Sequence, residues 1–286
     1  MNTTVSIIVP VYNNVSGISQ VVKLLLAQSY DHQLEIIIVD NGSTDGTANL
    51  IRNLSKEHEC VRAAFENNVQ SSYAARNQGI QESNGAILAF TDSDCLPDSE
   101  WIKAGTAELE RSNAACGGGH VEVTFGAAKP TTVEYLDASQ KLDQERYVKN
   151  HQFAATANFF ARKELFDRRG LFRPDLVSGG DYEFGRRVTK AGESLIYIPK
   201  AIVRHPARRT YSEVLKKSRR IAKGQKQLDG LGLAGFKRPL WRQMLPAKSW
   251  PQDGFGKETL GRADKLKLLA MQTWSSVSEG GYFNSL

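Results

Sequence analysis

Glu35-Ile36-Ile37-Ile38-Val39-Asp40-Asn41-Gly42-Ser43-Thr44-Asp45 decides the fold: an unbroken β-branched run, then an acid, then turn-forming residues. A continuous apolar run bounded by a turn reads as a strand covered on both faces, the habit of parallel sheets between helices. The same unit recurs on either side. Val5-Ser6-Ile7-Ile8-Val9 leads into Pro10-Val11-Tyr12-Asn13-Asn14, Val61 to Phe65 forms another run, and Ala86-Ile87-Leu88-Ala89-Phe90 leads into Thr91-Asp92-Ser93-Asp94. Between these runs, Ile18, Val21, Val22, Leu25 and Leu26 recur at helical spacing, and Thr47 to Leu54 and Ser72 to Gln81 continue the rhythm. This βαβα alternation predicts an α/β protein with a mostly parallel central sheet flanked by helices. Ligands of such sheets bind beyond the carboxyl ends of the strands. The polar loops after strands one, two and four are therefore where chemistry is expected.

Beyond Asp98 the pattern loosens. Helices are expected over Trp101 to Leu109, Thr132 to Val148 and Tyr182 to Ala191, with a glycine run and strand within 114–123 and extended chain from Phe153 to Ala161. Leu195 to Ile198 and Ala201 to Arg204 read as two short strands, followed by helices at Ser212 to Leu228 and Arg262 to Thr273. A chain of 286 residues, 41% hydrophobic, is long enough to bury a large core without disulfides or structural metals. Cys60, Cys95 and Cys116 cannot all pair and lack zinc-site spacing, so a reducing, cytoplasmic setting is expected. With no basic leader and no run of roughly 18 apolar residues, the protein is expected to be neither secreted nor membrane-spanning. Its charge of +6 is unevenly placed. Lys200 to Arg242 carries 13 Lys and Arg against two acids, while the rest carries 24 against 29.

Several polar residues each admit a structural and a chemical role. Asp92-Ser93-Asp94 could be a solvated turn, but alternate carboxylates at a buried strand's end also suit Mg²⁺ or Mn²⁺, whose shell is completed by substrate phosphates. Asp40, also at a strand end, can accept from a nucleobase N–H or a ribose hydroxyl, whereas Asp45 reads as a helix N-cap. Arg76, in Arg76-Asn77-Gln78-Gly79, is either solvated or reaches a diphosphate. In Ser178-Gly179-Gly180-Asp181-Tyr182-Glu183-Phe184, Asp181 is either a helix cap or a general base, and Glu183 is structural. His205, near a strand end, is either a packing residue or a contact for metal or phosphate.

Taken in order, Val9 to Asn13, Val39 to Asp45, Arg76 to Gly79, Asp92-Ser93-Asp94 and Gly179 to Phe184 resemble the motifs of family 2 glycosyltransferases of the GT-A fold. The resemblance spans about Val5 to His205. It implies a Rossmann-like nucleotide-binding half at 1–98, an acceptor half at 99–206, and a basic helical appendage at 207–286. It also implies a nucleotide-sugar pocket formed by Pro10, Tyr12, Asp40, Arg76, Asp92 and Ser93, with Asp40 on the base and Asp92 on the ribose side. Asp94, with His205, corresponds to the Mn²⁺ or Mg²⁺ ligands, and Asp181 to the catalytic base of inverting members. Two positions depart from the pattern. Asn13 and Gly180 each stand where many members carry Glu.

The activity implied is metal-assisted, inverting transfer from a nucleoside-diphosphate sugar, a UDP-sugar by expectation, to a hydroxyl of a glycan or lipid-linked acceptor. Cell-surface polysaccharide or glycolipid synthesis is its natural setting. The cluster Arg204, Arg208, Arg209, Lys216, Lys217, Arg219, Arg220, Lys223 and Lys226 reads either as a solvated helix face or as a peripheral attachment to the anionic inner face of the membrane, where each cation adds about 1 kcal/mol. Trp241, Trp250 and Phe255 follow it. Nucleic acid is not an expected partner, since no helix-turn-helix, zinc-finger or RNP-type pattern accompanies the basic stripe. The remaining alternatives are such a binding protein or a nucleotidyltransferase, although Tyr12-Asn13-Asn14 is not that class's glycine-rich loop. A dehydrogenase is disfavoured because no G-x-G-x-x-G follows the first strand.

Overall fold

The computed structural model describes residues 4–127, 130–139 and 142–233. The first strands and helices alternate as β1 (Val5–Val11), α1 (Val15–Leu26), β2 (Leu34–Asp40), α2 (Thr47–Glu57), β3 (Val61–Phe65), α3 (Ser72–Glu82) and β4 (Ile87–Thr91). Then follow β5 (Leu96–Pro97), α4 (Trp101–Ser112), β6 (Cys116–Thr124), α5 (Thr132–Ser139), α6 (Gln144–Arg146) and a single π turn over Tyr147–His151. The remainder is β7 (Asn158–Arg162), α7 (Lys163–Arg169), α8 (Gly180–Lys190), β8 (Leu195–Pro206) and α9 (Tyr211–Gly230).

One eight-stranded sheet runs in the order β3-β2-β1-β4-β7-β6-β8-β5. β1 to β4 are mutually parallel, with Val11 level with Asp40, whereas β7 pairs antiparallel with both β4 and β6. The fold is thus α/β, a mixed sheet with flanking helices, and its parallel half is the part the apolar runs predict. Ile7, Ile37 and Ile38 are fully buried, as strands covered on both faces must be. Gly79 lets α3 lie close on β1, because a Cβ there would come within 2.6 Å of the Ile8 side chain. A second apolar focus joins Phe90, Phe159, Phe166, Phe172 and Phe184, the last stacked on Phe166 at 5.0 Å.

The described residues divide into two compact units, the larger within 4–122 and 142–205, the smaller within 123–139 and 206–233. The smaller unit thus takes in 123–139 as well as the segment beyond residue 206. Within it, α9 begins with a capping box: Thr210 Oγ1 accepts from the Glu213 N–H at 3.3 Å while Glu213 accepts from the Thr210 N–H at 3.0 Å.

Three expectations change. Leu195 to Arg204 is one strand, not two, because a proline in extended chain breaks no geometry when its missing N–H is not needed by a neighbour. The helix expected from Thr132 to Val148 is instead α5, then α6 and the π turn; Asp143 caps the new start by accepting from the Arg146 N–H. The extended stretch begins at Asn158 and not Phe153, since the Asn158 N–H closes a turn onto the Ala155 carbonyl. The helix expected at Arg262 to Thr273, with Trp241, Trp250 and Phe255, lies outside the described residues.

Candidate active site

The loops after β1, β2 and β4 are tied together by their own side chains. Asn13 adopts a left-handed conformation (φ 48°), which asparagine tolerates better than glutamate. Its Oδ1 accepts from the Thr44 N–H at 2.7 Å, and its own N–H donates to Ser43 Oγ at 2.9 Å. The departure at position 13 is therefore a structural clip. Asn14 caps α1 by accepting from the Gly17 N–H, and its Nδ2 donates to the Ser93 carbonyl and hydroxyl at 3.2 and 3.1 Å. The Asn14 N–H donates to Thr47 Oγ1, which in turn donates to Asp45. Asp45 also accepts from the Thr47 N–H, one position ahead of Gly46, the N-cap of α2.

Around this knot lie the other expected residues. Pro10 is inside β1, and Tyr12, just past it, is 51% exposed. Asp40 ends β2 and is 2% exposed; its Oδ2 accepts from the Ser43 N–H at 3.1 Å, while its buried Oδ1 has no hydrogen-bond partner among the described residues. Arg76 is buried as well, so it is not a solvated helix cation. It donates to Asp92 Oδ1 and to the Ser72 carbonyl, and its Nε lacks a partner among the described residues. The two residues of the acidic tripeptide thus differ: Asp92 is ion-paired, and Asp94 is exposed.

Asp94 approaches His205, with Oδ2 3.9 Å from Nε2, and Cys95 completes a group whose ligand atoms lie within 4.8 Å of one another. Burial first, then the charges of Asp94 and Asp92, push the Cys95 thiol well above its ordinary value. It remains a thiol at neutral pH. Carboxylate and imidazole are donors that suit Mn²⁺ and, for the carboxylate, Mg²⁺, whereas the sulfur of Cys95 is a soft donor that suits neither hard ion.

Gly179 (φ 79°) is the N-cap of α8, which places Asp181 inside the first turn, where its Oδ1 accepts from the Tyr182 N–H at 2.9 Å, so the acid does satisfy a first-turn donor of its own helix. Asp181 Oδ1 accepts from the Tyr73 hydroxyl at 3.4 Å. Glu183 forms a two-pronged pair with Arg187 at 2.8 and 3.1 Å, the structural role expected of it.

The structure adds residues that sequence reading passed over. Asn77 clamps the backbone of Phe172 from both sides, donating to its carbonyl at 2.8 Å and accepting from its N–H at 3.0 Å. Asn158, fully buried and level with Thr91 across the β4–β7 pair, accepts from Trp101 Nε1 and donates to the carbonyls of His120 and Ala201. An amide in the apolar run Ala157-Asn158-Phe159 was its only signal. Tyr73 gave none.

A family model described as Glycosyl transferase family 2 matches residues 6–170. Glycosyltransferase AglE of Haloferax volcanii is 37% identical over 242 residues, spanning 83% of this chain and 79% of that protein. A Methanococcus voltae protein named dolichyl N-acetyl-alpha-D-glucosaminyl phosphate 3-beta-D-2,3-diacetamido-2,3-dideoxy-beta-D-glucuronosyltransferase is 24% identical over 225 residues, 75% of this chain and 70% of that one. Among solved structures, mannosyltransferase PcManGT from Pyrobaculum calidifontis, in complex with GDP-Man and Mn²⁺, aligns at a TM-score of 0.63 and 17% identity over 100% of this chain and 75% of its own. Residues 1–349 of TarS from S. aureus, in complex with UDP-GlcNAc, align at 0.57 and 19% identity over 77% and 65%.

Proposed function

Because the chain belongs to glycosyl transferase family 2 and is a glycosyltransferase of the GT-A fold, we propose that it uses a nucleoside-diphosphate sugar and inverts the sugar on transfer. The observation that carries this is Asp40: a buried carboxylate oxygen with no partner among the described residues costs about 1–3 kcal/mol, which a nucleobase N–H would offset. Tyr12, exposed and one residue past Val11, which is level with Asp40, offers a ring to the base. Arg76 presents cationic charge, oriented by Asp92, toward the diphosphate, and Ser93 belongs to the same loop knot. A UDP-sugar is the first donor to test. The neighbours bound to GDP-Man and UDP-GlcNAc support the class of donor and argue for trying both nucleotides.

Asp94 and His205 are the residues that would hold Mn²⁺ or Mg²⁺, and such an ion neutralises charge on a departing diphosphate. Asp181 removes the proton from the acceptor hydroxyl, which attacks the anomeric carbon opposite the leaving group. One displacement inverts the configuration.

The acceptor is a glycan or a lipid-linked sugar, bound by the 99–206 half opposite the donor half at 1–98. The name of the Methanococcus relative, which carries a dolichyl phosphate, supports the lipid-linked choice. No helix among the described residues is long and apolar enough to cross a membrane. Lys216, Arg219, Arg220, Lys223 and Lys226 are exposed along α9, and attach the 207–286 region to an anionic cytoplasmic membrane face. Polysaccharide or glycolipid assembly at that face is the setting, with nucleic acid no part of it; family membership also sets aside the nucleotidyltransferase alternative.

The test is thermal unfolding with UDP, GDP and a panel of their sugars, with and without Mn²⁺. At one hundred times its Kd a true donor adds about 2.7 kcal/mol. The expected result is stabilisation by one nucleotide series, enhanced by Mn²⁺ and lost in Asp40→Asn. No stabilisation by any of them overturns the proposal.

A further inference from the structure

We infer that Tyr73 is a positioning residue for Asp181, an inference that rests on the assignment of Asp181 as the general base. Tyr73 lies in the first turn of α3, and its hydroxyl bridges 108 residues of chain to reach Asp181 Oδ1 at 3.4 Å. The ring is 5% exposed. It is held between Phe172, with centroids 6.0 Å apart, and the guanidinium of Arg76, 5.7 Å from the ring centroid.

The residue before Asp181 explains why a tyrosine fits. A Cβ on Gly180 would meet the Tyr73 ring at 2.8 Å, closer than real Cβ atoms come. A side chain at 180 and this ring therefore exclude one another. Gly180 is one of the two positions where the chain departs from the Glu common in the family it resembles. Here the space is filled by an aromatic ring from another helix, whose hydroxyl then meets the acid next in sequence.

The consequence is a continuous path from the donor side to the acceptor side: Asp92 holds Arg76, Arg76 lies over Tyr73, and Tyr73 holds Asp181. Asp181 Oδ1 also accepts from the Tyr182 N–H at 2.9 Å, so the Tyr73 hydroxyl is the second donor on that oxygen and the one that comes from another helix. A carboxylate oxygen held from two directions samples fewer rotamers, and misplacement of a reacting group by about 1 Å can cost about 10²-fold in rate. The charge of Asp181 also reaches Tyr147, whose phenol is pushed up to about 12, by burial first and that charge second. Tyr147 therefore stays neutral beside the base.

Tyr73→Phe keeps the ring and its packing and removes only the hydroxyl. Turnover is read as nucleoside diphosphate release from the UDP- and GDP-sugar panel with Mn²⁺. The expected result is a fall in kcat of about one to two orders of magnitude, with the KM for donor and the affinity for the free nucleotide within about twofold. Gly180→Ala, which crowds the same ring from the other side, should show the same split. Tyr73→Phe placed on Asp181→Asn should lose nothing further, because the hydroxyl acts through the carboxylate. Unchanged kcat in Tyr73→Phe, or a full second loss in the double variant, overturns the inference while leaving the base assignment standing. Near-normal turnover in Asp181→Asn alone removes the base assignment and this inference with it.

Discussion

In the larger unit, which has an extensive apolar core, Asp40 ends β2 and Asp92 and Asp94 follow β4, whereas among the described residues of the smaller unit the acids Glu134 and Asp137 are buried. There Leu136 and Val214 pack against Val133, Tyr135 and Tyr211, and Ala207, Ala222 and Leu228 are buried as well. Asp137, 4% exposed, accepts from Lys217 Nζ at 2.8 Å and from the Arg208 N–H at 3.0 Å, and pairs with the Arg208 guanidinium. Glu134, 1% exposed, accepts from the N–H groups of Gly126 and Thr131. The difference teaches how to sort acids by neighbourhood. Acids such as Asp137 and Glu134, whose oxygens accept from their own chain, hold the fold together, and one at a strand end with a buried oxygen that has no partner among the described residues, like Asp40, is a candidate for a ligand contact.

Five substitutions test that contrast. The largest effect is expected from Asp181→Asn: turnover falls at least about 10²–10⁴-fold while the melting temperature and nucleotide binding hold. A parallel loss of melting temperature would place Asp181 with the structural acids. Next, Phe160→Ala removes a fully buried ring packed on Trp101 at 5.3 Å in the larger core, and urea unfolding should show about 3–5 kcal/mol of destabilisation.

Asp137→Asn follows, at about 1–3 kcal/mol, reduced from a fully buried pair because Arg208 retains some exposure. Burial opposes both charges of the Asp137–Lys217 pair and prevails for Lys217, but at Asp137 the two cations outweigh it and hold the carboxyl below its ordinary value. A lowered folded pKa means that the stabilisation is complete above the unfolded value of about 3.9 and fades as pH falls through the folded one. Unfolding measured from neutral pH down through about pH 3 should therefore show an acid-dependent loss in the parent that Asp137→Asn lacks. The smallest effect is expected from Lys223→Gln and Lys226→Gln on the exposed face of α9, within about 0.5 kcal/mol of parent stability. Each should nonetheless weaken co-sedimentation with anionic vesicles by about 1 kcal/mol, and no change would count against membrane attachment.

The larger unit was the more legible in sequence, for a physical reason. Parallel strands covered on both faces must be apolar throughout, so Ile36-Ile37-Ile38-Val39 announces itself and the acid that follows marks the strand end. The rest depends on partners far along the chain. Asn158 lies 57 residues from the Trp101 indole, Asn77 lies 95 from Phe172, and Tyr73 lies 108 from Asp181, so no local period could reveal them. α5 was hidden differently: it lay inside the stretch from Thr132 to Val148 expected as one helix, and only the buried hydrogen bonds of Glu134 and Asp137 show them to be interior groups.

The two-way grip of Asn77 on Phe172 has a further consequence. It ties the helix that carries Arg76 to the stretch of chain that leads into α8 and Asp181. Arg76 and Asp181 are thereby linked by the folded chain alone, and in the roles proposed for them a compound that contacts both would lose little entropy to ordering this part of the protein.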